Sequence, residues 1–196
     1  MLIAIEGLDQ SGKATQAQLL RDELRHGGTR ARLISFPDYG TSIGEELARA
    51  LQGERDYAPE VMQLLYIANR YERKADLERW LDGGLAVVCD RYIASSVAYG
   101  EAQGLDVAWL AQVQQFLPSA DVTILLDIVP ELAVERKATG RDRYERDLAL
   151  LCRVRDSYLR QAEQASWVRV DGARGKAEVA ADIIAVLARL RLDPSK

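Results

Sequence analysis

Short apolar runs alternate with stretches of helical spacing along the whole chain. Residues 2–6 (LIAIE), 31–36 (ARLISF), 85–90 (LAVVCD), 121–128 (DVTILLDI) and 167–172 (WVRVDG) read as strands. Between them, Leu19, Leu20 and Leu24 mark a helix that stops near Gly27-Gly28. Pro59 opens a long helix ending at Gly83-Gly84, and Val179, Ile183, Ile184 and Leu187 mark the last one. Strands that are apolar throughout are covered on both faces, so the pattern predicts an α/β fold with a five-stranded parallel sheet flanked by helices. No repeat, linker or low-complexity run divides residues 1–196, which predicts a single domain with a frayed end over 191–196. In such sheets ligands bind beyond the carboxyl ends of the strands. Those ends carry Glu6-Gly7, Phe36-Pro37-Asp38-Tyr39, Asp90-Arg91-Tyr92 and Asp127.

Composition narrows the class without choosing a function. Of 196 residues, 48% are apolar and 29% charged, as in ordinary globular proteins. The apolar start, Met1–Ile5, lacks the basic flank and length of a signal peptide, and no run is long enough to span a membrane. Cys89 and Cys152 have neither metal nor disulfide spacing, which makes the cytoplasm the expected location. The net charge is −4, yet arginines outnumber lysines 21 to 5. Residues 136–160 hold Arg136, Lys137, Arg141, Arg143, Arg146, Arg153, Arg155 and Arg160 against four acidic side chains. Most of these fit a solvated helix face with ion pairs. An acidic chain without interleaved aromatics argues against a polynucleotide as partner.

The chemistry begins at GLDQSGKATQ, residues 7–16, where a strand passes into a helix. Gly7, Gly12 and Lys13 match two glycines five apart followed by lysine, a match expected by chance about 0.03 times in a chain of this composition. Successive backbone N–H groups over Gly7, Leu8, Asp9, Gln10, Ser11, Gly12, Lys13, Ala14 and Thr15 would cradle the phosphates of ATP, helped by the helix N-terminus. Ala14 departs from the Ser or Thr that usually meets magnesium there. No Asn-Lys-x-Asp is present, which excludes a GTPase switch. His26, the sole histidine, reads as a cap at a helix end rather than a base. An acceptor that is itself a phosphate needs no base, since its oxygen is already anionic near neutral pH; it needs cations.

At this point the chain resembles the thymidylate kinases over nearly its whole length. GLDQSGKATQ looks like their phosphate loop, including its acidic Asp9; DRYIASSVAYGEAQG (90–104) like their Asp-Arg-Tyr segment; LLYIANRYE (64–72) like their base-reading helix; GRDRYERD (140–147) like their lid. The resemblance implies a three-layer P-loop kinase fold with a lid at about 136–147, and transfer of the γ-phosphoryl of MgATP to dTMP. It implies Lys13 on the ATP phosphates, Arg91 and Tyr39 on the dTMP phosphate, and Tyr66 stacked on thymine. Arg70 would bond O4, Ser96 would lie near N3, and Tyr99 would crowd the sugar 2′ position. Phe36 and Asp9 belong to the same acceptor site, with Lys13, Asp9, Arg91 and Arg141 in the catalytic set. Asp9, Asp90 and Glu145 are the candidates for Mg2+, and a homodimer is implied. Two departures stand out. Ser35-Phe36-Pro37 replaces the Arg-Glu-Pro of many bacterial relatives, and the phosphate loop, where the eukaryotic type has an arginine, contains Gln10 and no arginine. The bacterial type takes that arginine from the lid, where Arg136, Arg141 and Arg143 are available. The resemblance also raises a cis bond at Phe36-Pro37. Another nucleoside monophosphate or deoxynucleoside kinase, or a non-catalytic P-loop regulator, stays open; a regulator would lack the acceptor pocket.

Overall fold

The computed structural model describes residues 1–136 and 147–191, the last three as backbone only. The strands are β1 (Leu2–Glu6), β2 (Ala31–Ser35), β3 (Ala86–Asp90), β4 (Val122–Asp127) and β5 (Trp167–Asp171), each within a residue of its predicted limits. They form one parallel sheet in the order β2-β3-β1-β4-β5. Helices α1 (Lys13–His26), α2 (Ser42–Leu51), α3 (Pro59–Glu72), α4 (Lys74–Asp82), α5 (Ile93–Ala102), α6 (Val107–Gln112), α7 (Pro130–Arg136), α8 (Leu148–Gln161) and α9 (Lys176–Arg191) connect and cover it. No helix among the described residues is long and apolar enough to cross a membrane.

Strand alternation sorts the core. Ile3 and Ile5 of β1 join Val88, Ile124 and Leu126 on one face, packed by Leu20 and Leu24 of α1 and by Val179, Ile183 and Leu187 of α9. Leu2 and Ala4 turn the other way, to Val87, Cys89, Phe36, Tyr92 and Leu77 of α4. On that same side Leu8 and Leu125 meet α5 and α8 through Ala98, Val154 and Tyr158. Because β1 lies between β3 and β4, the loop after it opens at the reversal of strand order, where doubly wound sheets bind ligands.

The predicted helix from Pro59 to Gly83 is two helices. At Arg73 (φ −98°, ψ 0°) the last turn of α3 tightens, the Arg73 N–H bonding Arg70 O at 3.1 Å. The Arg73 side chain then clamps the loop after β2, its Nε 2.6 Å from Asp38 Oδ2. Redirected, α4 places Leu77 fully in the core. The cationic stretch behaves as a paired face where described: Arg155 grips Asp127, Arg160 pairs with Glu101, and Arg153 donates to Ala102 O. Arg141, Arg143, Glu145 and the rest of the expected lid between Arg136 and Asp147 lie outside the described residues, as do 192–196 of the tail.

Candidate active site

The phosphate loop has the shape its glycines predict. Gly7 has φ +140°, and a Cβ there would stand 2.5 Å from Leu126 O. Gly12, at φ +94°, is the left-handed residue from which α1 starts. Lys13 is the first residue of α1 and is buried, with Nζ 2.6 Å from Leu8 O and 4.0 Å from Asp9 Oδ1. Burial pushes the Lys13 ammonium down to about 8, with Arg91 adding to the shift while Asp9, Asp90 and Glu6 oppose it. Lys13 thus sits folded against its own loop. Ala14 is exposed, whereas Thr15 is half-buried.

Asp9 joins this loop to the segment after β3. One oxygen pairs with the Arg91 guanidinium; the other accepts from Tyr99 OH at 3.1 Å. Burial alone would raise the Asp9 carboxyl, but Arg91, Lys13 and these hydrogen bonds hold it well below the usual range. Arg91 adopts the left-handed conformation at φ +64°, which is uncommon for a long side chain and is held by its surroundings. Its NH1 reaches Gly7 O at 3.3 Å and Ser95 Oγ at 3.2 Å, and the guanidinium lies 5.5 Å from the Tyr99 ring centroid.

The base-pocket candidates stand across from it. Tyr66 and Arg70, one helical turn apart on α3, share a face. Arg70 is buried, donates from NH1 to Ser96 Oγ at 2.8 Å, and lies 6.0 Å from the Phe36 ring centroid, while its Nε has no partner among the described residues. The Phe36-Pro37 bond is cis. Asp9, Phe36, Tyr39, Tyr66, Arg70, Arg91, Ser96 and Tyr99, the acceptor-site candidates of the sequence, all line a single cleft enclosing about 590 Å³, open solvent included.

The metal candidates separate. Both Asp9 oxygens are engaged, and Glu145 is outside the described residues. Asp90, at the end of β3, carries no side-chain hydrogen bond among the described residues. Burial raises its carboxyl, Glu6 and Asp9 adding to this while Lys13 and Arg91 oppose it. No group of three or more metal-binding side chains occurs among the described residues. Magnesium keeps several waters and binds through one or two carboxylates plus phosphate oxygens, so a lone carboxylate beside the phosphate loop fits it.

Four contributors carried no assigned role in the sequence reading. Asn69, fully buried, accepts from Asp38 N at 2.7 Å and donates to Asp38 O at 3.1 Å, fixing the loop that carries Tyr39. Gln63 lines the cleft beside Arg70. Glu6 and Tyr158 meet behind Arg91. Asn69 and Gln63 sit at helical spacing from Tyr66, a signal that could have found them. Tyr158, 152 residues from Glu6, left no such local trace.

Comparison with known proteins points to one family. The family model for thymidylate kinase matches residues 5–183. A thymidylate kinase of Plasmodium falciparum is 31% identical over 195 residues, covering 99% of this chain and 92% of its own. A probable thymidylate kinase of Pyrococcus abyssi is 36% identical, covering 94% of each. Among solved structures, a thymidylate kinase from Candida albicans superposes with a TM-score of 0.87 at 29% identity, over 97% of this chain and 92% of that one.

Proposed function

The chain belongs to the thymidylate kinase family, and on that premise we propose that it transfers the γ-phosphoryl group of ATP to dTMP, giving dTDP and ADP, with the residue roles that follow. The observation that carries this reading is the cleft itself, where phosphate-binding and base-reading candidates face each other beside the phosphate loop. An oxygen of the dTMP phosphate attacks the γ-phosphorus; the bond from that phosphorus to the β–γ bridging oxygen breaks, and ADP leaves with the electron pair. The acceptor oxygen is already anionic, so no protein base takes a proton. Catalysis is positioning and charge stabilisation.

In this reading Lys13 leaves Leu8 O for the transferring phosphoryl oxygens, and loop amides hold the remaining phosphates. Arg91 binds the dTMP phosphate while Asp9 holds its guanidinium from behind. Tyr66 stacks on thymine, Arg70 donates to O4 in place of part of its contact with Ser96, and Tyr99 covers the sugar edge where a 2′-hydroxyl would project. Asp90 would hold magnesium, which would neutralise charge between the two phosphate groups. Homodimerisation belongs to the same reading, supported by the exposed apolar residues Val61 and Leu64 on one face of α3.

Two outcomes test it. In a screen of nucleoside monophosphates with MgATP, dTMP is the fastest acceptor, dUMP is slower, and purine monophosphates are nearly inert; faster turnover with AMP or CMP than with dTMP overturns the assignment. In a magnesium titration of turnover, Asp90→Asn needs several-fold more metal for half-maximal rate, whereas Ala14→Thr titrates like the wild type. A shift in Ala14→Thr alone would mean that the hydroxyl missing at residue 14 limits metal binding and that Asp90 has no part in it.

A further inference from the structure

Behind Arg91, away from the cleft, a buried carboxyl gathers four hydrogen bonds. Glu6 has no exposed surface. Its Oε1 accepts from the backbone N–H of Tyr92 at 2.7 Å and of Ser95 at 3.2 Å; its Oε2 accepts from Ser95 Oγ at 2.7 Å and from Tyr158 OH at 2.9 Å. The first pair caps α5, whose own N-cap residue, Tyr92, makes no side-chain cap. The second pair closes a triangle, since Ser95 Oγ and Tyr158 OH also lie 3.0 Å apart with either able to donate. A hydroxyl has one proton, so a hydroxyl that donates to Glu6 meets Arg91 through its lone pairs. Those oxygens are the ones that Arg91 NH1 meets, Ser95 Oγ at 3.2 Å and Tyr158 OH at 3.5 Å.

We infer that Glu6 and Tyr158 are positioning residues for the acceptor site: through Ser95 and the start of α5 they hold Arg91 in its left-handed conformation, with its guanidinium aimed at the acceptor phosphate. The left-handed backbone at Arg91 is unfavourable on its own and persists because neighbouring contacts over-determine it. Glu6 fixes the two residues that follow closely, by the Tyr92 and Ser95 amides, and orients the acceptors for the side chain. Tyr158 supplies one of those acceptors from α8, an element that lines no part of the cleft. The network is buried, where such contacts are stronger and a missing partner is costly. This inference rests on Arg91 being the residue that receives the acceptor phosphate.

The test is a double-mutant cycle on the full chain, comparing wild type, Tyr158→Phe, Arg91→Ala and the double variant by kcat/KM for dTMP, KM for ATP and Tm. Tyr158→Phe lowers kcat/KM for dTMP about tenfold, the scale of one hydrogen bond to a charged group, with the ATP KM within twofold of wild type. In the Arg91→Ala background the same change costs less than twofold, because there is no guanidinium left to orient. An equal loss in both backgrounds, or a loss that falls on ATP as much as on dTMP, overturns the inference by showing a general structural role. Unchanged dTMP kinetics in Tyr158→Phe, with Arg91→Ala severely impaired, overturns the inference and leaves the Arg91 assignment standing. If Arg91→Ala itself leaves dTMP kinetics intact, the acceptor-site reading fails and the inference with it. Glu6→Gln, which puts an amide donor where one oxygen accepts, shifts dTMP kinetics in the same direction as Tyr158→Phe; should it not fold, the cycle on Tyr158 stands without it.

Discussion

Replacing Lys13 with Met lowers kcat by about a hundredfold to a thousandfold, the usual cost of losing one preorganised donor at a developing charge. Its ammonium is useful chiefly while charge builds on the transferring phosphoryl group, so KM for dTMP moves little. The fold suffers little, because the burial cost carried by the ammonium offsets its contacts with Asp9 and Leu8 O. Burial disfavours this ammonium, pushing it from its ordinary 10.5 to about 8, so a neutral side chain of similar length removes a charge that folding works against. A Met variant with a Tm near that of wild type and a collapsed kcat is the expected pair of results; a collapsed Tm would mean that Lys13 mainly holds the loop. The same shift sets a pH dependence. The free enzyme loses the Lys13 proton as pH rises through about 8, so kcat/KM for ATP falls above that value. Lys13→Arg, which does not titrate in this range, removes that fall while lowering the plateau.

Arg91→Ala raises the dTMP KM by roughly ten- to a hundredfold, from the loss of a charge-assisted contact worth about 1.5–3 kcal/mol. It also lowers kcat, because the acceptor oxygen is no longer aligned with the γ-phosphorus. Stability changes too, and with a definite sign. Asp9 titrates below its ordinary 3.8 in the folded chain, held there against burial mainly by Arg91 and Lys13. Its ion pairing therefore stabilises the fold above pH 3.8 and is lost as pH falls from there through the folded value. Without Arg91, Asp9 keeps, among the described residues, Tyr99 and the more distant Lys13. The variant unfolds at lower denaturant at pH 7, and the gap to wild type narrows on acidification. Steady-state kinetics and urea titrations at pH 7 and near pH 3 measure both; an unchanged dTMP KM would move the acceptor phosphate elsewhere, and a gap constant with pH would mean that Asp9 is not what Arg91 stabilises.

Strand positions were legible because a parallel sheet covered on both faces demands continuous apolar runs, and five such runs occur. The break at Arg73 was not, since neither glycine nor proline marks it; the turn is set by a tertiary contact, Arg73 to Asp38, that local spacing does not encode. The cleft was legible wherever chemistry and spacing coincide, as at Gly7, Gly12 and Lys13, or at Tyr66 and Arg70 on one helical face. Resemblance supplied Ser96, Tyr99 and Phe36, which look unremarkable alone. Glu6 stood at a strand end, yet nothing near it in sequence shows that its partners come from Ser95 and Tyr158. Asp9 stood in the phosphate loop as a candidate for metal and acceptor alike; the folded chain shows Arg91 and Tyr99 at its oxygens, partners that no local spacing encodes.

The order of strands has a consequence for the chain as it leaves the ribosome. β1 pairs only with β3 and β4, and β2 only with β3, so β1 and β2 are never neighbours. Until residues 86–90 emerge, the nascent chain holds two strands and no strand pair at all, and β1 gains its second edge only after 122–127. Helices α1 to α4 precede β3, the strand that joins β1 to β2, and closing such a long loop before strands can pair is slow. A fragment ending before Ala86 therefore exposes unpaired apolar strands and is a target for chaperones and proteases rather than a folded intermediate.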